Sequence, residues 1–239
     1  MEKEVTIKLT KVPKNPIIIE GFPGFGLVGT ITTGFLIDHL KCEQIGRYFF
    51  ESPPATLAIH DGKVVDPISV YYNKEYNLVI INGIINSGGQ EWKIADMIID
   101  LCKQTNAKEL ITIEGVGTNG ETAESKAFYH CTDEKCEKRM REITVPTLGE
   151  GIIVGVTSAL LLKKEMPTTC IFSETHTKLP DSKAAAKAIE VLDKYLGLKV
   201  DYKPLLKQAE EFEKNIKEMM EKSQEANEMR KEKTPSYFG

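Results

Sequence analysis

The chain has 239 residues, of which 41% are hydrophobic and 28% charged, and its formal net charge is −4. That charge argues against a nucleic-acid partner, whose phosphates call for a surplus of Lys and Arg. No run of 18 apolar residues occurs, so no membrane partner is expected, and the charged start Met1-Glu2-Lys3-Glu4 reads as lacking a signal peptide.

Val5 to Leu9 alternates as a strand does. Pro16-Ile17-Ile18-Ile19 is a continuous apolar run, the pattern of a buried strand. Gly21-Phe22-Pro23-Gly24-Phe25-Gly26 breaks it, and the spacing then predicts a helix over 27–40 with Leu27, Ile31, Phe35 and Leu36 on one face. Strands are expected at 44–50, and at 57–60, 63–65 and 68–72 around the Asp61-Gly62 turn. Leu78 to Ile81 and Leu110 to Ile113 read as buried strands flanking an amphipathic helix over 91–102. Residues 118–142 are polar and show no period that assigns an element. Gly149-Glu150-Gly151 is expected to open a helix over 152–163, followed by a strand at 169–172. An alanine-rich helix over 181–196 is capped by Asp181 or Ser182 and stopped by Gly197. Apolar strands alternating with helices predict an α/β sandwich over residues 1–202, with a mostly parallel central sheet flanked by helices.

Residues 203–239 differ in character, with eight acids and eight bases among 37 residues. The whole −4 therefore belongs to the body. Pro204 suits a first helical turn. Leu205, Ala209, Phe212, Ile216 and Met219 recur at spacings of 4, 3, 4 and 3, a seam for helix packing or for pairing with a second copy. A charged helix over 203–230 would be about 42 Å long. Pro235 ends it, leaving a tail over 231–239 that finishes in Tyr237-Phe238-Gly239. Two aromatics beside a terminal carboxylate suit a pocket lined by a cation and backbone donors.

The five cysteines are scattered, and free thiols are the expectation. His130-Cys131 and Cys136 lack the second pair that a zinc site needs, so no metal is expected. Gly24-Phe25-Gly26-Leu27-Val28-Gly29 fits the dinucleotide fingerprint G-x-G-x-x-G, with Glu51 placed as a ribose-binding acid. The same glycines also serve a tight turn and close helix–sheet packing. Gly21, Pro23, Gly24, Gly26 and Gly29 thus form a candidate ligand loop or a structural one. Asn86-Ser87-Gly88-Gly89 and Glu114-Gly115-Val116-Gly117 lie at the carboxyl ends of two further strands, the rim where open α/β sheets bind ligands. Ser87 has no nucleophile elbow around it, and Glu91 and Glu114 read as caps or solvent-facing residues more readily than as acids. No catalytic residue and no cofactor are nominated.

Ile19-Glu20-Gly21-Phe22-Pro23-Gly24-Phe25-Gly26-Leu27-Val28-Gly29 resembles the opening motif of the PAC2 family, the proteasome assembly chaperone 2 group with its archaeal homologues. Gly46-Arg47, Gly151-x-x-x-Gly155 and the stretch from Phe172 to Leu198, with Pro180-Asp181 opening its helix, support the resemblance, which spans about residues 15–215. It implies an α/β sandwich related to nucleoside phosphorylases, a cytoplasmic homo-oligomer and no enzymatic role. It also implies a C-terminal tail that reaches the α subunits of the 20S proteasome, for assembly or gate opening. Such tails end in a hydrophobic–tyrosine–any motif, in which Tyr237 would take the hydrophobic place, Phe238 the tyrosine place and Gly239 the terminus. The alternative is a nucleotide- or nucleoside-binding enzyme using the loop from Gly21 to Gly29.

Overall fold

The computed structural model describes residues 7–48, 58–60, 62–85, 88–117, 125–175, 179–206, 216–218 and 221–222. The strands in chain order are β1 (Lys8–Leu9), β2 (Ile17–Gly21), β3 (Glu43–Tyr48), β4 (Ala58–His60), β5 (Lys63–Val65), β6 (Ile68–Asn73), β7 (Leu78–Gly83), β8 (Glu109–Gly117), β9 (Ala127–Cys131) and β10 (Thr168–Thr175). Of these, β4 and β5 form a separate hairpin. The helices are α1 (Val28–His39), α2 (Glu91–Thr105), α3 (Glu134–Glu142), α4 (Val156–Lys163) and α5 (Ser182–Leu196). The main sheet has the order β1-β3-β6-β7-β2-β8-β10-β9. Its central strands β7, β2, β8 and β10 run parallel, and antiparallel strands extend it on both sides.

Strand alternation explains why helices cover both faces. Ile19, Ile80, Ile111 and Ile171 point toward α1, α3 and α5, in one apolar cluster. Their neighbours Ile18, Val79, Ile81 and Leu110 point the other way, toward α2 and α4. Each such fully buried side chain contributes about 1.5–3 kcal/mol relative to exposure, so the two clusters supply the main drive for folding. The alternation also sets the face of polar positions. Glu20 shares the parity of Ile18, and Thr112 and Glu114 share that of Leu110, so all three lie on the α4 side.

The polar segment 118–142 and the cysteines depart from expectation. The segment left unassigned contains β9 and α3, whose strand pairs with the edge of β10 and whose helix is capped by Asp133, accepting from the Cys136 N–H at 2.9 Å. Their polarity masked them, because α3 buries only Cys136 and Met140. Cys131 and Cys136 are not free thiols but a disulfide, brought to a Cα–Cα distance of 5.9 Å by the β9–α3 turn, while Cys42, Cys102 and Cys170 are free. Behind α3, Glu109 gathers the Tyr195 hydroxyl at 2.6 Å, the Thr169 hydroxyl and Arg139 Nη1 at 3.3 Å, linking α3, β8, β10 and α5.

The helix expected from residue 152 begins at Val156. Gly155 has φ 106 and ψ −156, a conformation open to glycine alone, and it ends an irregular segment in which Ile152 and Val154 stay exposed. α5 matches expectation: Asp181 accepts from the Ala184 N–H at 2.9 Å, and Gly197 closes the helix with positive φ.

Gly21 at the end of β2 and Gly29 in the first turn of α1 touch backbone to backbone. A Cβ on Gly21 would overlap the Gly29 carbonyl, and one on Gly29 would stand 2.5 Å from the Ile113 carbonyl oxygen and 3.1 Å from Gly21 Cα. Gly-to-Ala inside a helix ordinarily stabilises by roughly 1 kcal/mol. Here Gly29→Ala is expected to destabilise by about 2 kcal/mol or more through backbone displacement, read as a lower denaturant midpoint in urea unfolding. An unchanged or higher midpoint would refute the packing account.

Candidate functional site

The carboxyl ends of β2 and β8 carry Glu20 and Glu114, one from each of two neighbouring parallel strands. Glu20 is 1% exposed and Glu114 8% exposed. Between them stands Thr157 from the first turn of α4, with Oγ1 at 3.3 Å from Glu20 Oε1 and 3.1 Å from Glu114 Oε1. A hydroxyl has one proton to donate, so it serves one carboxylate at a time; the second contact is satisfied when a protonated carboxyl donates to the Thr157 oxygen. Burial pushes the Glu114 carboxyl up to about 8, against the opposing Thr157 hydrogen bond. Burial also raises Glu20 well above its ordinary range, the nearby Glu114 charge adds to this, and Thr157 again opposes. The pair is therefore held mainly as acids at neutral pH.

Over Glu114 opens a pocket of about 810 Å³. Pro23 and Gly24 of the glycine loop border it, with Phe25, the end of β8, residues 151–154 and Glu174 of β10. The segment leading into α4, from Gly151 to Gly155, forms one of its walls. Lys217 and Glu221 of the C-terminal region also line it.

The glycine loop is distributed over several tasks. Pro23 and Gly24 face the pocket. Gly26, buried with φ +61, accepts from the Asp181 N–H at 2.9 Å, tying the loop to α5. Asp181 in turn accepts from the Thr175 hydroxyl at 2.9 Å. Gly21 and Gly29 are taken up by backbone packing. At the end of β7, Thr30 donates to the Gly83 carbonyl at 3.0 Å, and Asn82 donates to Thr33 Oγ1 at 2.8 Å, fixing α1 over that strand. Glu51 and Ser87 lie outside the described residues.

Glu114 is a correction: it is neither a cap nor solvent-facing but a buried carboxyl beneath Gly24. Glu20 and Thr157 escaped sequence reasoning. The available signal was an acid directly after the apolar run 17–19, in register with the buried Ile18. In the seam, Leu205 is buried in the α1–α5 cluster and Ile216 packs partly against it. Helix is described at 203–206, 216–218 and 221–222, with Lys217 and Glu221 paired at 3.7 Å. Ala209, Phe212, Met219, Tyr237, Phe238 and Gly239 lie outside the described residues. Among the described residues no helix is long and apolar enough to cross a membrane.

A three-layer sandwich with a glycine loop folded against a strand-end pocket defines the class. The PAC2 family model matches residues 18–220, and the chain belongs to the PAC2 family. The crystal structure of Pyrococcus furiosus PbaA, an archaeal homologue of proteasome-assembly chaperone, superposes with a TM-score of 0.83 at 32% identity, covering 93% of this chain and 99% of that one. Pyrococcus furiosus PbaB, an archaeal proteasome activator, shares the fold with a TM-score of 0.73 at 24% identity over 90% and 98% of the two chains. Methanocaldococcus jannaschii protein MJ0106 is 26% identical over 228 residues, 94% of each chain. The chain thus has the fold of a proteasome-assembly-chaperone homologue.

The acid pair makes stability depend on pH in a definite direction. Glu114 ordinarily loses its proton near 4.5 and holds it to about 8 when folded. Across that window the folded state binds more protons than the unfolded state, so stability is full below the window and falls as pH rises through it. The expected loss is on the order of 4 kcal/mol by pH ~9. Thermal melts of wild type and Glu114→Gln over this range check it: the wild-type midpoint should fall steeply and the variant's less so. Parallel curves would rule out Glu114 as the source.

Proposed function

We propose that this chain is a non-enzymatic proteasome assembly chaperone or activator that works as a cytoplasmic homo-oligomer and binds the α subunits of the 20S proteasome. The observation that carries this reading is the match to PbaA along nearly the whole of both chains, at 32% identity. In this reading residues 1–202 form the body, the seam residues Leu205, Ala209, Phe212, Ile216 and Met219 pack against the body or a sister copy, and residues 203–230 form an arm. The tail is the contact: Tyr237 and Phe238 insert between neighbouring α subunits, and the Gly239 carboxylate pairs with a cation in the pocket. The balanced charge of residues 203–239 supports a specific contact over a general electrostatic one. Several tails on one oligomer raise effective concentration and compensate for a weak single contact.

Deletion of residues 237–239 should abolish co-purification with 20S core particles while leaving the melting temperature unchanged. Retained binding would sink the tail mechanism. Phe238 lacks the hydroxyl of a tyrosine, so Phe238→Tyr should add one hydrogen bond worth about 0.5–1.5 kcal/mol. That is roughly a two- to tenfold tighter dissociation constant in surface plasmon resonance against immobilised core particles.

A further inference from the structure

We propose that the pocket above Glu114 binds a small organic cation, an apolar body bearing an ammonium or guanidinium group that pairs with Glu114 Oε2. This assignment does not rest on proteasome binding.

Its volume of about 810 Å³ falls within the range of small-molecule sites, and its place at the carboxyl ends of parallel strands is where α/β sheets hold ligands. Glu114 is more than nine-tenths buried, and its two oxygens differ. Oε1 is engaged by Thr157; Oε2 accepts no hydrogen bond from the described residues. Oε2 lies beneath residue 24, where a Cβ would stand 2.6 Å from it, so glycine at that position leaves the oxygen uncovered. Glu114 lines the pocket, so a ligand donor that enters it can reach this oxygen and form a charge-assisted hydrogen bond.

The surrounding charge selects the sign of the ligand. Glu91, Glu150 and Glu174 also line the pocket, and Glu174 Oε2 is itself buried without a partner. Lys217 is the single basic side chain lining it among the described residues, and it is paired with Glu221. Low-dielectric walls bearing one sign of charge attract a counter-charge and repel anions such as nucleotide phosphates. Phe25, Phe128, Leu148 and Val154 supply apolar surface for the body of the ligand. A cation replaces the proton that burial otherwise keeps on Glu114.

The test is calorimetric titration of the full-length protein with phenethylammonium, its neutral counterpart 2-phenylethanol, the blocked tripeptide acetyl-Gly-Arg-Gly-amide, and adenosine. Phenethylammonium should bind, and 2-phenylethanol at least about tenfold more weakly. Glu114→Gln should weaken the amine about tenfold and leave the alcohol unchanged. Gly24→Ala keeps Glu114, and its φ of −139 is open to alanine, so it should also weaken the amine by covering Oε2. Binding of the tripeptide in place of the free amine would keep the cation site and assign its occupant to a basic side chain of a protein partner. Equal affinity for amine and alcohol would overturn the proposal. So would adenosine binding without either cation, or no binding of any cation at about 10 mM. The amine–alcohol comparison in wild type decides the matter even if a variant folds poorly.

Discussion

The rest of the structure depends on one backbone contact, between Gly21 at the end of β2 and Gly29 at the start of α1. A central parallel strand must pass its chain to a helix on one face without pushing that helix off the sheet. Removing both side chains lets α1 settle directly on β2 and β8, where Gly29 meets the Ile113 carbonyl. From that position α1 is enclosed by the sheet and by α5, which explains why Val28 to Thr33 are all buried. The buried threonines find partners at once, Thr30 on Gly83 and Thr33 on its own helix. Phe22, Pro23, Gly24 and Phe25 are then carried over the strand ends, because they bridge a turn that a simpler fingerprint makes directly.

That bridge creates the chemistry of the rim. It brings Gly24 over Glu114 and leaves the α4 side of the strand ends to be covered by the chain leading into α4. That chain is irregular rather than helical, and Gly155 adopts a conformation that an α-helix cannot continue through. Thr157 then enters as a single polar wedge between two buried carboxyls. Two acids with one shared hydroxyl are poor material for stability, since neither can ionise without cost. A fold of this size has ample apolar burial to tolerate the pair, and the open pocket beside it gives the arrangement an outlet. The pocket reaches Lys217 and Glu221 as well, so the strand-end rim and the C-terminal region meet at one place.

Much of the architecture was legible from residue pattern. Continuous apolar runs at 17–19, 78–81 and 110–113 marked the central parallel strands, because strands buried on both faces have no polar alternation to show. Asp181 and Gly197 marked both ends of α5 through local hydrogen bonding and positive φ. The misses have separate causes. β9 and α3 are edge elements with few buried residues, so their stability comes from neighbours such as Thr169, Glu109 and Tyr195 that lie far away in sequence. The late start of α4 was hidden because Ile152, Ile153 and Val154 look like the first turn of an apolar helix, while Ile152 and Val154 are in fact exposed.

By itself the sequence determined the class of fold, the order of its central elements and the family, since these rest on period, capping and a local glycine motif. Only the tertiary structure decided what the motif and its surroundings do. Glu20 and Glu114 are 94 positions apart and Thr157 a further 43, and no local pattern relates them. They meet because β2 pairs with β8 in parallel register and α4 packs across both. Burial then changes their chemistry, turning residues that would be ordinary solvated carboxylates into a buried acid pair beneath an open pocket.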